Sequence, residues 1–431
     1  MRKRFSGGLA ASLPILALGI FIPGIHAVAQ QEVVVHNFNN NGKDGYAPYA
    51  GVISDASGNL YGTTVRGGTY NYGAVFELSP KTGGGWTEKI LHSFNSNGTD
   101  GYYPYGALVI DTANNLYGTT YYGGFYNEGT AFELSPKAGA GWIERILYNF
   151  NASGTDGYYP HAGMIADAFG NLYGTTVGGR GIVFELSPIG GGNWTEKALY
   201  NFQGGTDAWQ PNAGLIFDPA GNLYGTTTAG GHNTACYQNA GLGCGTVFEL
   251  SPAGGGIWTE KVLYEFAGGA DGYFPFSSLV LDVSGNLYGT TPYGGGNTTC
   301  LNVGISAGCG IVFELTPSTQ GGWREKVLHN FNFDNGKDGT IPYGGLIRDA
   351  SGNLYGTTES TGFNFAYGYG TVFELSFTTG KWAEKILHNF GNTGKGGDAP
   401  AASMIMDAIG NLYGTAGGGA YGDGIVFEVI P

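Results

Sequence analysis

"DASGNLYGTT", residues 55–64, sets the reading of the whole chain, because its core returns six more times. It reappears as NLYGTT at 115–120, 171–176, 222–227, 286–291 and 353–358, and as NLYGTA at 411–416. Aligned on Leu60, Leu116, Leu172, Leu223, Leu287, Leu354 and Leu412, the copies stand 56, 56, 51, 64, 67 and 58 residues apart. A period of that size is one supersecondary unit, so the 431 residues form an array sharing a continuous core.

Three more β-like runs accompany each copy. The first follows a proline, as in PYAGVISD (48–55) or PYGGLIRD (342–349), and LYGTT is the second. The third is GAVFELSP (73–80) or GTVFELSP (245–252), and the fourth is WTEKILHSF (86–94) or WREKVLHNF (323–331). Asp-x-x-Gly-Asn joins the first two runs in six copies, while the remaining one, Asp111 to Asn115, has Asn114 in the glycine position. Asn best replaces Gly at positive φ, so this position is predicted left-handed in a tight hairpin whose Asp accepts the turn's own amides. Gly62 and its equivalents Gly118, Gly174, Gly225, Gly289, Gly356 and Gly414 interrupt a strand, where Gly is unfavourable. They are expected to leave room for a neighbouring blade and its Tyr ring.

Four short antiparallel strands per unit make a propeller blade, since a β-helix has a shorter coil and no such hairpin. Fourth strands follow units one to six, beginning at Trp86, Trp142, Trp194, Trp258, Trp323 and Trp382. Unit seven ends at GIVFEVIP (424–431) without one, whereas EVVVHNF (32–38) is a fourth strand with no unit before it. The expected fold is all-β: a seven-bladed β-propeller of four-stranded antiparallel blades, its ring closed by the N-terminal strand completing the last blade. Closure removes the unpaired sheet edges. The expected units are 46–94, 102–150, 158–202, 209–266, 273–331, 341–390, and 398–431 with 32–38, in one domain over 30–431.

The phrases LYGTT, G-[TI]-V-F-E-L and W-x-E-K-x-L-H-x-F resemble the GloVer-type tandem repeat of exported bacterial proteins, over nearly all of 32–431. That family joins such repeats to varied C-terminal anchors. The resemblance implies a β-propeller and an exported location, but no particular chemistry. The chain departs from the family pattern by showing no anchor segment at Val429-Ile430-Pro431.

Composition agrees. Gly numbers 82, aromatics make up 14% and charged residues 12%, which excludes collagen for want of a triplet and argues against disorder. Arg2, Lys3 and Arg4, an apolar run over 9–25 and Ala27-Val28-Ala29 read as a signal peptide over 1–29. A retained anchor is the alternative, and Pro14 and Pro23 weigh against it. Cleavage takes the formal net charge from −14 to −17. Such a surface repels nucleic acid and anionic membranes. The mature chain is expected to be a secreted or periplasmic monomer without a transmembrane segment. Cys236 with Cys244 and Cys300 with Cys309 are expected as two disulfides, with zinc binding as the alternative.

Uniform positions build a ring, and varied ones make a site. The residue after the blade-initial proline is Tyr49, Tyr105, His161, Asn212, Phe276, Tyr343 and Ala401, expected near the channel mouth. Stacking rings with amide and hydroxyl groups suit a sugar, and Trp209, Arg66 and Arg180 are assigned to the same face. Packing between blades is the alternative role for these rings. Loops such as NNNGKDG (39–45) suggest calcium at Asp44, Asp100, Asp156 and Asp338, with turn formation as the plainer account and GGTDAWQ (204–210) as a degenerate copy. No other cofactor is expected.

The catalytic residues remain unknown from the sequence. His36, His92, His329 and His388 occupy a fourth-strand position held elsewhere by Tyr148, Tyr200 and Tyr264, a structural pattern. GISAG (304–308) lacks the strand and helix of a nucleophile elbow. Glu77, Glu133 and their equivalents are expected to pair with fourth-strand bases such as Lys89 and Lys326. Three functions remain: a non-catalytic module binding a glycan or cell-surface polymer, a polysaccharide- or lactone-acting hydrolase or lyase, and a structural surface protein. The enzyme reading uses Asp207 or Glu359 with Arg66, Arg180 or His161.

Overall fold

Blade 1 shows how the repeated phrases become a sheet. Ile53–Ser54, Leu60–Thr64, Ala74–Pro80 and Trp86–Ser93 pair antiparallel in that order. The computed structural model describes residues 31–139, 141–153, 156–233, 236, 242–297, 300, 308–332, 338–360, 369–391 and 396–431. Five further sheets repeat the order of blade 1, and a seventh joins Ile405–Met406, Leu412–Gly418 and Ile425–Ile430 to Gln31–Asn37. The N-terminal strand runs antiparallel to the last one, with Glu32 opposite Val429 and Val34 opposite Phe427. The expected seven-bladed ring, closed by its own N-terminal strand, is therefore present. The signal peptide expected over 1–29, and GISAG at 304–308 except its last glycine, lie outside the described residues.

The hairpin turn forms as its residues require. Asp55 Oδ1 accepts the Ser57 and Asn59 amides at 2.8 and 2.9 Å, and Oδ2 accepts Asn59 Nδ2 at 2.8 Å and the Tyr61 hydroxyl at 3.2 Å. Burial pushes the Asp55 carboxyl up, but these hydrogen bonds outweigh it and hold it below the usual range. Gly58 has φ 80° and Asn114 φ 62°, the left-handed geometry expected of that position.

The strand glycine answers to a different neighbour from the one expected. Gly62 lies directly opposite Phe76 of its own blade, and a Cβ added to it would stand 2.5 Å from Phe76 Cζ. The other six copies give 2.5–2.6 Å to Phe132, Phe184, Phe248, Phe313, Phe373 and Phe427. The glycine is a socket for a phenylalanine of its own blade, and not for a neighbouring Tyr. Neighbouring blades meet on the other side of that ring. Phe38 packs edge-to-face on Phe76 at 5.1 Å, Phe94 on Phe132 at 5.1 Å, and so on to Phe390 on Phe427 at 5.1 Å.

A second girdle lies nearer the axis. Thr63 Oγ1 donates to the Gly106 carbonyl of the next blade at 3.2 Å, and Thr119 does the same to Ala162 at 3.1 Å. Every blade repeats this, until Thr415 donates to Ala50 at 3.0 Å and closes the circle. The expected cross-strand pairs also form, Lys89 with Glu77 at 3.9 Å and Arg145 with Glu133 at 3.3 Å.

Gly174→Val tests the socket. Its backbone is not left-handed, so the penalty is steric: the new Cβ meets Phe184 Cζ at 2.5 Å and Met164 Cγ at 3.2 Å. A loss of about 1–3 kcal/mol is expected for overpacking of this kind, read as a lower denaturation midpoint. An unchanged melting temperature would refute the socket.

Candidate functional site

A kink repeated in every blade builds the loop face. The residue before the blade-initial proline is left-handed throughout: Ala47, Tyr103, Tyr159, Gln210, Phe274, Ile341 and Ala399, with φ of 45–61°. Such geometry costs a bulky residue roughly 1–3 kcal/mol, so the surroundings must impose it. Two hydrogen bonds do so. The Tyr103 amide donates to the Tyr72 carbonyl of the preceding blade at 3.0 Å, and the Tyr103 carbonyl accepts the Tyr121 amide at 3.1 Å. Tyr159 is held likewise between Glu128 and Val177, at 2.9 and 3.1 Å.

Past the kink, Tyr49, Tyr105, His161, Asn212, Phe276, Tyr343 and Ala401 line one cavity of ≈ 330 Å³, floored by Gly, Ala and Ser. These post-proline residues meet there, as the alignment predicts. Three of them open a larger aromatic array. Tyr105 stacks on His161 at 5.1 Å and meets Tyr49 and Tyr121 edge-on, both at 5.6 Å. Tyr121 stacks on Tyr159 at 4.9 Å and touches Tyr122 at 4.7 Å. Tyr122 leads to Tyr102 at 5.6 Å, and Tyr102 to Tyr72 at 5.2 Å. Arg66 lies over Tyr103, 4.2 Å from the ring centre, and donates to its hydroxyl. The array thus crosses the loops of blades 1 to 3, bounded by exposed Tyr49 (58%) and by Phe125 and Tyr126 in the loop after Tyr122. Burial raises the Tyr105 and Tyr121 phenols, and burial with Glu128 raises Tyr159 to about 12, so all three keep their protons.

Tyr102, Tyr103, Tyr121, Tyr122 and Tyr159 escape a sequence reading that follows only the position after the proline. The position before the proline and the one after LYGTT vary just as much, and their tyrosines, Tyr103, Tyr121 and Tyr159, fall in blades 2 and 3. A smaller cluster occupies blades 5 and 6, where Tyr293 and Tyr343 share a 2.7 Å hydroxyl contact and Phe276 meets Tyr343 at 5.4 Å.

The remaining assigned residues divide. Burial lowers the His161 pKa, leaving a neutral imidazole in the mouth. Asn212 Nδ2 donates to Thr228 Oγ1 at 3.0 Å, away from a ligand. Trp209 stands apart from the cavity on a short ribbon, Ala208–Trp209 against Ala229–Gly230, with its indole N–H on Gly179 O at 3.1 Å. Exposed Arg180 sits beside Trp209 and Gly204. Glu359 lines a ≈ 240 Å³ pocket with Tyr49, Ala401 and Asp423. Its Oε2 has no hydrogen-bond partner, and burial pushes its carboxyl up. Asp423 is engaged by the Asn40 amide at 2.9 Å. The cysteines form the two expected disulfides, and the Cys244 and Cys309 carbonyls each hold the kink of the next blade at 2.9 Å.

Asp207 is not a mouth residue. It accepts the Tyr200 hydroxyl at 3.2 Å and the Gln203 amide at 2.6 Å, the place that Asp44, Asp100, Asp156, Asp271 and Asp338 take in other blades. GGTDAWQ, degenerate in sequence and one residue shorter, keeps the Asp of the acidic loop in place. Each such Asp lies between a fourth-strand His or Tyr of one blade and a fourth-strand Glu of the next. Asp100 faces His92 at 3.3 Å with Glu144 beyond, and Asp156 accepts the Tyr148 hydroxyl at 2.9 Å with Glu196 beyond. The Asp oxygens also accept loop amides, Asn39 on Asp44 and Asn95 on Asp100, both at 2.9 Å. Where Tyr replaces His, burial and the facing Asp push Glu196, Glu260 and Glu325 up to about 7.

The Gloeobacter/Verrucomicrobia repeat model matches residues 25–233, 143–301 and 298–431. The chain belongs to this family. The resemblance drawn from LYGTT and VFEL holds, and each matched stretch spans more than one blade. None of the curated proteins matches the chain by sequence. Among solved structures it is similar to the polysaccharide lyase Uly1, at 11% identity and a TM-score of 0.53 over 92% of each chain. It is also similar to a putative 6-phosphogluconolactonase from Bacteroides uniformis, at 13% identity and 0.51, over 86% of this chain and 98% of that one. PorZ of Porphyromonas gingivalis matches at 15% and 0.50, over 90% of this chain and 47% of its own. These likenesses are of fold.

Glu260 makes the blade interface pH-dependent. Its carboxyl keeps a proton to about pH 7 when folded, against an ordinary value of 4.5, through burial and Asp207. Folding takes up a proton between those values, so the stability this group contributes at low pH is lost as pH rises through 7. Glu260→Gln should raise the melting temperature relative to the parent at pH 8 and give no advantage at pH 4. Equal differences at both pH values would count against the buried proton.

Proposed function

We propose that the protein is an exported, monomeric binding module whose loop face holds a neutral polysaccharide on the tyrosine array of blades 1 to 3. The observation that carries this reading is the array itself. Tyr49, Tyr105, Tyr121 and Tyr159 form consecutive ring contacts of 4.9–5.6 Å that run from exposed Tyr49 at the channel mouth to half-buried Tyr159. Apolar C–H faces of sugar rings stack on such surfaces, and the protonated phenols and the neutral His161 supply hydrogen bonds to hydroxyls. The acidic balance of 33 carboxylates against 19 bases disfavours an anionic polymer. Two disulfides and the basic, apolar, small-residue N-terminus support an exported location. Among the described residues, no helix is long and apolar enough to cross a membrane.

Calorimetric titration of the full chain against neutral glucans and xylans, with alginate as the anionic control, tests the reading. Tyr105→Ala and Tyr121→Ala should each weaken binding about tenfold, the equivalent of about 1.4 kcal/mol, with little change in melting temperature. Folded protein that binds none of the neutral polymers would overturn the proposal and favour a structural role.

One observation favours a second reading. Glu359 keeps an unpartnered oxygen and an elevated carboxyl pKa in the pocket beside Tyr49, as a general acid requires. The same polymers incubated with the protein would then be shortened or gain unsaturated ends. Glu359→Gln should abolish that product while leaving binding intact; product formation unaffected by the substitution would exclude Glu359 as the acid.

A further inference from the structure

The blade interfaces are not all alike, and their differences follow one residue. At three of them the residue facing the loop Asp is His, and these hold the triads His36–Asp44–Glu88, His92–Asp100–Glu144 and His329–Asp338–Glu384. In each, the ligating atoms lie within 4.8 Å of one another. We propose that these three triads bind a divalent first-row transition ion of the zinc class, which clamps the outer strands of neighbouring blades together.

The distances admit a shared ion as well as the His–Asp hydrogen bonds formed at the second and third triads. His36 Nε2 stands 3.4 Å from Asp44 Oδ2 and 3.7 Å from Glu88 Oε1. The values for His92 are 3.3 and 3.5 Å, and for His329 3.2 and 3.7 Å. These are long for charge-assisted hydrogen bonds. Two ligands of a tetrahedral ion at about 2.1 Å lie roughly 3.4 Å apart, the spacing found here. An ion that displaces the protons of a triad would meet two carboxylates and one imidazole, a charge that matches a divalent ion, and the nitrogen ligand favours zinc over calcium.

Unpartnered atoms accompany the triads, and because Asp156 Oδ1, Glu196 Oε1, Glu260 Oε1 and Glu325 Oε1 of the tyrosine interfaces are unpartnered too, they mark the carboxylate pair common to both kinds of interface. His36 Nε2, Asp44 Oδ1 and Glu88 Oε1 are buried without a hydrogen-bond partner, as are Asp100 Oδ1, Glu144 Oε1 and Glu384 Oε1. The Asp44 and Asp100 side chains are each only 8% exposed. At the second triad a ≈ 350 Å³ cleft lined by His92, Asp100 and Glu144 leads in from solvent, giving an entry path and room for a water ligand. The Asn39 and Asn95 amides donate to the same Asp oxygens that face the imidazoles and so fix their orientation.

The other four interfaces act as internal controls. Tyr148, Tyr200 and Tyr264 replace the imidazole and donate to Asp156, Asp207 and Asp271, so these interfaces hold without a nitrogen ligand. At the last one His388 faces Glu32 at 3.4 Å, but glycine occupies the Asp position. His→Tyr is therefore a substitution that the fold already accepts at this place.

The full chain, stripped by chelator and dialysed against micromolar zinc chloride, should take up about three ions by elemental analysis and melt at a higher temperature. His92→Tyr should lose about one ion, and the triple variant His36→Tyr, His92→Tyr, His329→Tyr should lose all three together with the zinc-dependent rise. Its metal-free melting temperature should stay near that of the parent. Uptake below one ion per chain, or uptake unchanged in the triple variant, would overturn the proposal and leave a proton as the shared occupant. A rise in melting temperature with calcium chloride but not with zinc would overturn the choice of ion. Should His92→Tyr fail to fold, His329→Tyr reads the same stoichiometry at a separate interface.

Discussion

Everything in this propeller depends on one contact, the phenylalanine of VFEL lying in the groove left by the glycine of LYGTT. Phe76 sits over Gly62, where even a methyl group would stand 2.5 Å from its ring. Because the ring sinks into its own blade, its outer edge receives Phe38 of the preceding blade at 5.1 Å. Glycine costs a strand some intrinsic stability, and seven buried edge-to-face pairs more than offset it. The contact sets the distance between blades and so the curvature of the ring. The threonine hydrogen bonds then tie each blade to the next near the axis, where Thr415 reaches Ala50 across the chain ends.

That rigidity lets the loop face carry strain. Seven left-handed residues before proline persist; Ile341, at φ 61°, donates its amide to a carbonyl of the preceding blade and accepts the Glu359 amide of its own blade. The kink belongs to the scaffold, while the side chains around it are free to vary. The chain has used that freedom unevenly, with tyrosines from Tyr49 to Tyr159 on blades 1 to 3 and disulfide-closed loops on blades 4 and 5. The interfaces at the rim follow the same logic, with a constant Glu, an Asp at six of the seven and a variable third partner.

Much of this architecture is legible in the repeat pattern. The Asp-x-x-Gly-Asn turns, the orphan strand at 32–38 and the cysteine pairs each imply a partner a few residues away or one required by counting. The post-proline ring at the mouth follows from the alignment too. Other positions resist the pattern for a common reason. It points the strand glycine to a neighbouring Tyr, and Asp207 and Trp209 to the rim of the mouth, and the folded chain puts each elsewhere. In every case the deciding neighbour comes from another strand or the next blade, and pattern alone does not say which.

Blade number, strand order, hairpin chemistry and ring closure are settled by sequence, because their partners stand at short, repeated offsets along the chain. Tertiary structure alone decides which varied residues become a surface. Tyr49, Tyr105 and His161 lie 56 residues apart in sequence, yet their rings touch at 5.1–5.6 Å. His92 and Glu144 come from different blades and meet at 3.5 Å across an interface. The blade-to-blade packing set by the glycine socket brings such groups together, and no local propensity encodes that meeting.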